Sequence, residues 1–268
     1  MPPHRGSFQR SSESCRGKLE EKVREIHRRL LAQYGERGKP GGRDPIALLI
    51  STILSQNTND TLRDRAFERL RARFPSWEEV RDAPVEEVEE AIRVAGLSRQ
   101  KAYRIQWALK RITEERGTLD LSFLRQMEVE EAKRWLMSMN GVGPKTAAII
   151  LLFGLGMPAF PVDTHIFRVS KRLGLIPVKT TREKAHEILE NLIPPEYYYS
   201  FHLNMIEHGR RVCTSHKPRC QECILNDLCD FHGGGKISPS HESPERSVNR
   251  QRTVEARTIA NLKSKGRQ

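Results

Sequence analysis

A chain of 268 residues with a net charge of +12 and a pI of about 9.7 is long enough to bury one large core or two small ones. Apolar residues make up 37% and charged ones 30%; no apolar run reaches the roughly 18 residues that span a bilayer, so a membrane protein is excluded and a polyanionic partner such as nucleic acid is favoured. Part of the excess charge sits in the tails, since residues 1–17 hold +2 and residues 233–268 hold +5, which leaves +5 for the middle. The opening residues are polar and lack a hydrophobic signal, so an intracellular protein is expected, in the cytoplasm or nucleoid, or in a nucleus or organelle.

Residues 1–17 are expected to form a disordered arm. A first amphipathic helix is predicted over Glu20–Tyr34, with Val23, Ile26, Leu30 and Leu31 on one face. Gly35–Gly42 reads as a loop, and Asp44-Pro45 as the start of a mostly buried helix through Leu54. The polar run Ser55–Asp60 then reads as a turn, with Asp60 or Thr58 capping a helix Thr61–Phe74. Ser76 and Glu79 have capping-box spacing. Pro84 opens a helix that stops at Gly96, and Ser98 is placed to cap Arg99–Glu115. The segment Gly96–Ala102 reads as an ordinary C-cap followed by an N-cap, with a faint echo of the turn that comes later.

That turn follows the helical pattern Glu128–Met139 and runs Asn140-Gly141-Val142-Gly143-Pro144-Lys145-Thr146-Ala147. Gly141 and Gly143 permit positive φ and close approach of a partner to the backbone. Pro144 suits the first turn of the next helix, predicted over Thr146–Leu152. The free N–H groups at that helix start favour an anion, and a phosphate is the natural guest. Lys145 sits in the same turn, where a cation opposes the helix dipole. A residue that breaks a local rule points to function, and a neutral amine is a nucleophile. Asp163, after Pro161-Val162, is placed to cap a helix Ile166–Leu173 while offering an oxygen to a pocket. Thr180–Glu183 is another capping box, and Pro195 opens a helix towards Gly209. Tyr197–Tyr199 are candidates for stacking on bases or for the core. No run alternates β-branched residues, so the fold class is all-α.

Four cysteines fall within 17 residues: Cys213, Cys220, Cys223 and Cys229, spaced C-x6-C-x2-C-x5-C, while Cys15 stands alone. Without a secretory signal such density reads as a metal site and not a disulfide framework. Structural zinc usually takes two short knuckles, whereas compact thiolate runs hold iron–sulfur clusters; the spacing favours a cluster and leaves zinc open.

The hairpin Gly141-Val142-Gly143-Pro144-Lys145-Thr146-Ala147 and the segment Pro161-Val162-Asp163-Thr164-His165 together resemble the helix-hairpin-helix DNA glycosylases, and most closely their endonuclease III branch. The resemblance extends over roughly Asp44–Phe231 and includes the cysteine spacing. It implies two helical lobes: residues 44–156 as a six-helix barrel-like lobe with the hairpin, and residues 18–43 plus 157–232 as a lobe carrying a [4Fe-4S] loop. Residues 233–268 would be a disordered basic tail.

The resemblance further implies excision of damaged, oxidised pyrimidines from double-stranded DNA, with Lys145 as the nucleophile that forms a Schiff base and Asp163 as the second catalytic group. A bifunctional glycosylase of this kind then cuts 3′ to the abasic site by β-elimination. Gly141, Val142, Gly143 and Thr146 would contact phosphate. The family places a gap-filling glutamine where this chain has Asn57, with Gln56 just before it, so either amide is a candidate. Lys217 and Arg219 in the cysteine loop would meet phosphates. His165, beside Asp163, is counted among the DNA contacts, although packing or capping is its plainer role. The competing expectations are a monofunctional mismatch glycosylase acting on thymine or adenine and a non-enzymatic DNA-binding module. A monomer is expected.

Overall fold

The structure, a computed structural model, describes residues 6–234. Among them there are helices and loops but no strand. The α-helices are α1 (Gly6–Tyr34), α2 (Pro45–Leu54), α3 (Asp60–Arg73), α4 (Trp77–Asp82), α5 (Val85–Ile92), α6 (Ser98–Arg116), α7 (Val129–Met137), α8 (Pro144–Ile149), α9 (Thr164–Arg172), α10 (Arg182–Leu192) and α11 (Tyr198–Arg211). No helix among the described residues is long and apolar enough to cross a membrane. α1 begins at Gly6, so residues 6–17, expected as an arm, continue the predicted helix towards its N-terminus. The expectations for residues 1–5 and for the tail beyond residue 234 lie outside the described residues.

Two apolar cores form. One gathers Ile46–Ala159, with Leu49, Ile53, Leu70, Ile105, Leu109 and Leu136 fully buried. The other gathers Val23, Ile26 and Leu30 of α1 with residues between Leu152 and Leu225. The chain passes from one to the other just after α8. There the helix widens into π-type turns over Ile150–Leu155. Ile150, Leu151 and Leu155 face the first core, while Leu152 and Phe153 face the second. A helix apolar on every side belongs inside a protein, and this segment satisfies both cores at once. The loop after α1 caps it: the amides of Gly41, Gly42 and Arg43 donate to the carbonyls of Leu152, Gly154 and Phe153, which would otherwise be unpaired at the end of the helix.

Several helix starts follow local chemistry. Asp44 Oδ1 accepts from the Ile46 amide at 2.8 Å. Ser76 Oγ accepts from the Glu79 amide at 3.2 Å, the N-cap half of a capping box, and its hydroxyl donates to the Glu79 carboxylate at 3.1 Å. Two caps differ from the expectation. Asn59, not Asp60 or Thr58, caps α3 through Oδ1 to the Leu62 amide at 2.9 Å. Ser98 lies inside α6; Leu97, with φ of 49°, occupies the cap, and the Ser98 hydroxyl donates to Glu89 at 3.3 Å. Pro195–Tyr197 form a 3-10 turn before α11.

Candidate active site and four-cysteine loop

A cavity of about 760 Å³ opens between the two cores. Its first wall comes from α2 (Ser51, Thr52), the start of α3 (Asp60, Arg63), α8 (Lys145, Ile149) and Phe153. Its second wall comes from Asp163, His165 and the α11 residues His202, Leu203, Ile206 and Arg210. Lys145 and Asp163 also line an adjoining cavity of about 380 Å³, shared with Asn57, Gly143 and Thr146. The two residues eighteen apart in sequence therefore meet at one place, each delivered by a helix start. Asp163 caps α9 through Oδ1, which accepts from the Ile166 amide at 2.8 Å, and it still faces the cavity.

The hairpin achieves its shape with one left-handed glycine. Gly141 has φ of 83°, and a Cβ there would lie 2.8 Å from Arg104 Cδ. Gly143, expected to share this freedom, is extended at φ −98°; a Cβ on it would meet nothing within 4 Å, so its bareness leaves open space on the outer side. No side chain caps the start of α8, which leaves its first-turn amides for an anion. Val142, expected to contact phosphate, has its amide donating to the Met139 carbonyl at 3.0 Å and its side chain buried in the first core. Thr146 is buried as well, at the wall of the smaller cavity.

The two amide candidates separate clearly. Gln56 is spent on the fold: its Nε2 donates to the Gly141 carbonyl at 2.7 Å, and its Oε1 accepts from Arg104 at 2.7 Å. Asn57 is exposed, with φ of 53°. The left-handed region is one that asparagine tolerates better than most residues. Sequence reasoning missed Arg104, which braces the hairpin through Gln56. It also missed Lys101, 1% exposed, whose ammonium donates to the carbonyls of Leu54 at 2.8 Å and Ala95 at 2.9 Å. Burial pushes this lysine below its ordinary value. Its place in the faint echo Gly96–Ala102 was the only signal. Leu97, beside it, is a left-handed leucine that is 55% exposed.

His165 is partly buried and its Nδ1 accepts from Arg168 at 3.1 Å. Arg168 also donates to the carbonyls of Gly209 and Cys213, so it ties α9 to the end of α11 and to the first cysteine. His202 donates from Nδ1 to the Pro161 carbonyl at 2.9 Å. Burial holds it well below the usual histidine value, against the opposing pull of Asp163. The three tyrosines are internal: Tyr197 stacks on His27 at 3.9 Å, Tyr198 donates to the Glu190 carbonyl at 2.7 Å, and Tyr199 packs 5.1 Å from Phe153.

The four cysteines carry free thiols and ring a single small cavity of about 20 Å³. Burial pushes the Cys223 thiol up to about 11, and the other three sulfurs add to the shift. Nitrogens stand beside two of the sulfurs: Arg172 Nη1 donates to Cys213 Sγ at 3.2 Å, and His208 Nε2 is 3.5 Å from Cys223 Sγ. α1 latches the loop from outside through Arg29, which donates to Asp227 and to the Ile224 carbonyl. Within the loop Lys217 is exposed, whereas Arg219 is partly occupied by the Arg211 carbonyl and by Glu222.

Comparison with known proteins agrees with this geometry. The profile of the HhH-GPD superfamily base excision DNA repair proteins matches residues 50–195. An Arabidopsis thaliana protein is 41% identical over 169 residues, 63% of this chain but only 57% of that protein. Endonuclease III of Thermotoga maritima is 35% identical over 222 residues, which span 82% of this chain and 97% of the enzyme. Among solved structures, a non-covalent endonuclease III–DNA complex matches with a TM-score of 0.68 at 31% identity, covering 79% of this chain and 95% of that one. A trapped endonuclease III–DNA covalent intermediate matches with a TM-score of 0.67 at 31% identity, covering 79% and 96%.

Proposed function

Because the chain belongs to the HhH-GPD superfamily of base excision DNA repair proteins, we propose that it excises damaged bases from duplex DNA as a bifunctional glycosylase and AP lyase of the endonuclease III type. The observation that carries the reading is the meeting of Lys145 and Asp163, from opposite sides, on the wall of one cavity of base-accommodating size. Such an enzyme must extrude its target, because C1′ is out of reach inside the stack. The first turn of α8 and Gly143 hold a phosphate beside the lesion. The amine of Lys145 attacks C1′, a C–N bond forms, and the glycosidic bond breaks with its electron pair leaving on the base, which takes up the proton that the nitrogen loses. The C1′–O4′ bond then opens with its electron pair on O4′, which takes up a proton; the resulting iminium acidifies C2′, and loss of a C2′ proton expels the 3′ phosphate and cuts the strand. Asp163 stabilises the positive charge that grows on the sugar. Asn57, exposed at its loop tip while Gln56 is bound to the hairpin, fills the vacated space. The exposed Leu97 suits a wedge between bases. Oxidised or ring-saturated pyrimidines are the substrates this branch implies.

Cys213, Cys220, Cys223 and Cys229 hold a [4Fe-4S] cluster in this reading, supported by four free thiols that line one small cavity and by their compact spacing. Bound there, the cluster supplies a cross-link that fixes the loop bearing the exposed Lys217.

The test is borohydride trapping on duplex DNA that carries thymine glycol. The wild type is expected to give a covalent adduct and Lys145→Ala none. Base release without trapping, surviving Lys145→Ala, would indicate a monofunctional glycosylase; no release and no cutting of an abasic strand would leave only DNA binding.

A further inference from the structure

His202 has no part in the chemistry above, yet it is a buried polar group in the cavity wall. Its ring stands edge-on to Phe153 at 5.3 Å and to Phe160 at 6.2 Å. Its Nδ1 lies 2.9 Å from the Pro161 carbonyl oxygen. A carbonyl only accepts, so Nδ1 carries the hydrogen, and in the neutral ring Nε2 is then a bare acceptor. The residue is 4% exposed, and burial keeps it neutral.

Nε2 has no hydrogen-bond partner among the described residues, and it is not sealed in: the one buried, inaccessible and unpartnered side-chain polar atom among them is Ser170 Oγ. The surface that His202 keeps is on the 760 Å³ cavity. Two hydroxyls of the facing α2 wall have already donated inward, Thr52 Oγ1 to the Leu48 carbonyl at 2.7 Å and Ser55 Oγ to the Thr52 carbonyl at 2.8 Å. They too present only lone pairs. A complementary donor is present on the same wall as His202: His165 accepts from Arg168 at Nδ1, so the hydrogen of its ring is on Nε2.

We infer that His202 is a specificity-determining residue whose Nε2 accepts a hydrogen bond from a ring N–H of the extruded base, so that the site selects imide-bearing pyrimidines of the thymine and uracil type. The inference rests on the glycosylase reading. A buried acceptor left without its donor loses the bond and keeps its desolvation penalty, which corresponds to about a 10- to 100-fold loss of discrimination.

The experiment uses the full chain and three duplexes, containing dihydrothymine, its N3-methyl analogue and a preformed abasic site. Wild type should excise dihydrothymine about 10- to 100-fold faster than the N3-methyl analogue. His202→Phe should lose that preference and most dihydrothymine excision, while abasic-strand cutting falls far less. His202→Gln, which places an amide oxygen near the Nε2 position, should restore part of the excision. Equal loss of excision and abasic cutting in His202→Phe, without rescue by His202→Gln, would make His202 a strut and overturn the role. A wild-type preference that His202→Phe retains would overturn it as well. Wild-type failure on every duplex, the abasic one included, would instead sink the glycosylase reading and the role of His202 with it.

Discussion

Adjacent amides in one loop are doing different jobs. Gln56 joins the loop to the hairpin through Gly141 and Arg104, whereas Asn57 is exposed in a left-handed conformation. Asn57→Ala should therefore leave thermal stability and abasic-strand cutting nearly unchanged but reduce excision of a paired lesion. Gln56→Ala should lower the melting temperature, because it strands the Gly141 carbonyl and the Arg104 guanidinium at about 1–3 kcal/mol. Calorimetry and single-turnover excision on both variants would separate the two, and the reverse pattern would return the gap-filling role to Gln56. The histidines give a pH prediction. Burial, first among the causes, holds His27, His186 and His202 below the ordinary histidine value of 6.5, with His202 near 4. Each binds a proton more readily in the unfolded chain. Their contribution is thus complete above pH 6.5 and is lost as pH falls towards the folded values. The carboxylates held down by arginines, Glu25 by Arg28 and Asp227 by Arg29, titrate only below their ordinary 4.5 and 3.8. A melting temperature that stays flat between pH 7 and 5 would contradict this assignment.

At the scale of elements, the cation of α6 hidden against the end of α2 is the feature that sets the Ser55–Asn57 loop. Lys101 closes the end of α2 at Leu54 and the turn at Ala95 with one ammonium. The next residues are Ser55–Asn57 on one side and Leu97 on the other, so one side chain positions both exposed tips. Lys101→Met keeps the volume and removes the donors. It should cost about 2 kcal/mol, or roughly 4–8 °C in melting temperature for a chain of this size, with a larger fall in excision of paired lesions than in abasic cutting. Unchanged excision at lowered stability would show that the loop needs no such support. Lys101 also marks the limit of what the sequence made legible. Caps at Asp44, Ser76 and Asp163 were readable because a side chain two or three residues from its partner amide obeys local geometry. The hairpin, the cysteine spacing and the Lys145–Asp163 pair were readable because they form compact motifs. Lys101, Arg104 and Glu190 were not, since each acts on a partner between 6 and 57 residues away, and a lysine in an amphipathic helix reads as solvated. The left-handed Leu97 in place of a serine cap was equally hidden, because leucine rarely adopts that conformation.

At the scale of the molecule, the proposed chemistry depends on holding two cores at a fixed separation, because Lys145 belongs to one side of the cavity and Asp163 to the other. Behind the hairpin, Lys133 of α7 reaches across to Glu190 of α10, at 2.7 and 2.6 Å to its two oxygens. Glu190 Oε1 also accepts from the Phe160 amide at 2.8 Å, three residues before Asp163. The pair is nearly buried, with side-chain exposures of 10% and 18%. Removing one partner of such a pair leaves a charge without compensation, which typically costs about 3–5 kcal/mol, whereas replacing both by apolar groups is far milder. Lys133 keeps its more exposed contact to Glu130 at 2.8 Å, so Glu190→Leu should fall at the low end, about 3 kcal/mol. It should also loosen the segment that carries Asp163, and slow imine trapping on an abasic duplex more than it weakens DNA binding. The double variant Lys133→Met with Glu190→Leu should regain much of the stability, since no charge is then left unpaired. It should not regain the trapping rate, because the Phe160 amide still lacks its acceptor. Recovery of both together would mean that the cores are aligned by apolar packing alone, and that the ion pair contributes only its own electrostatic balance.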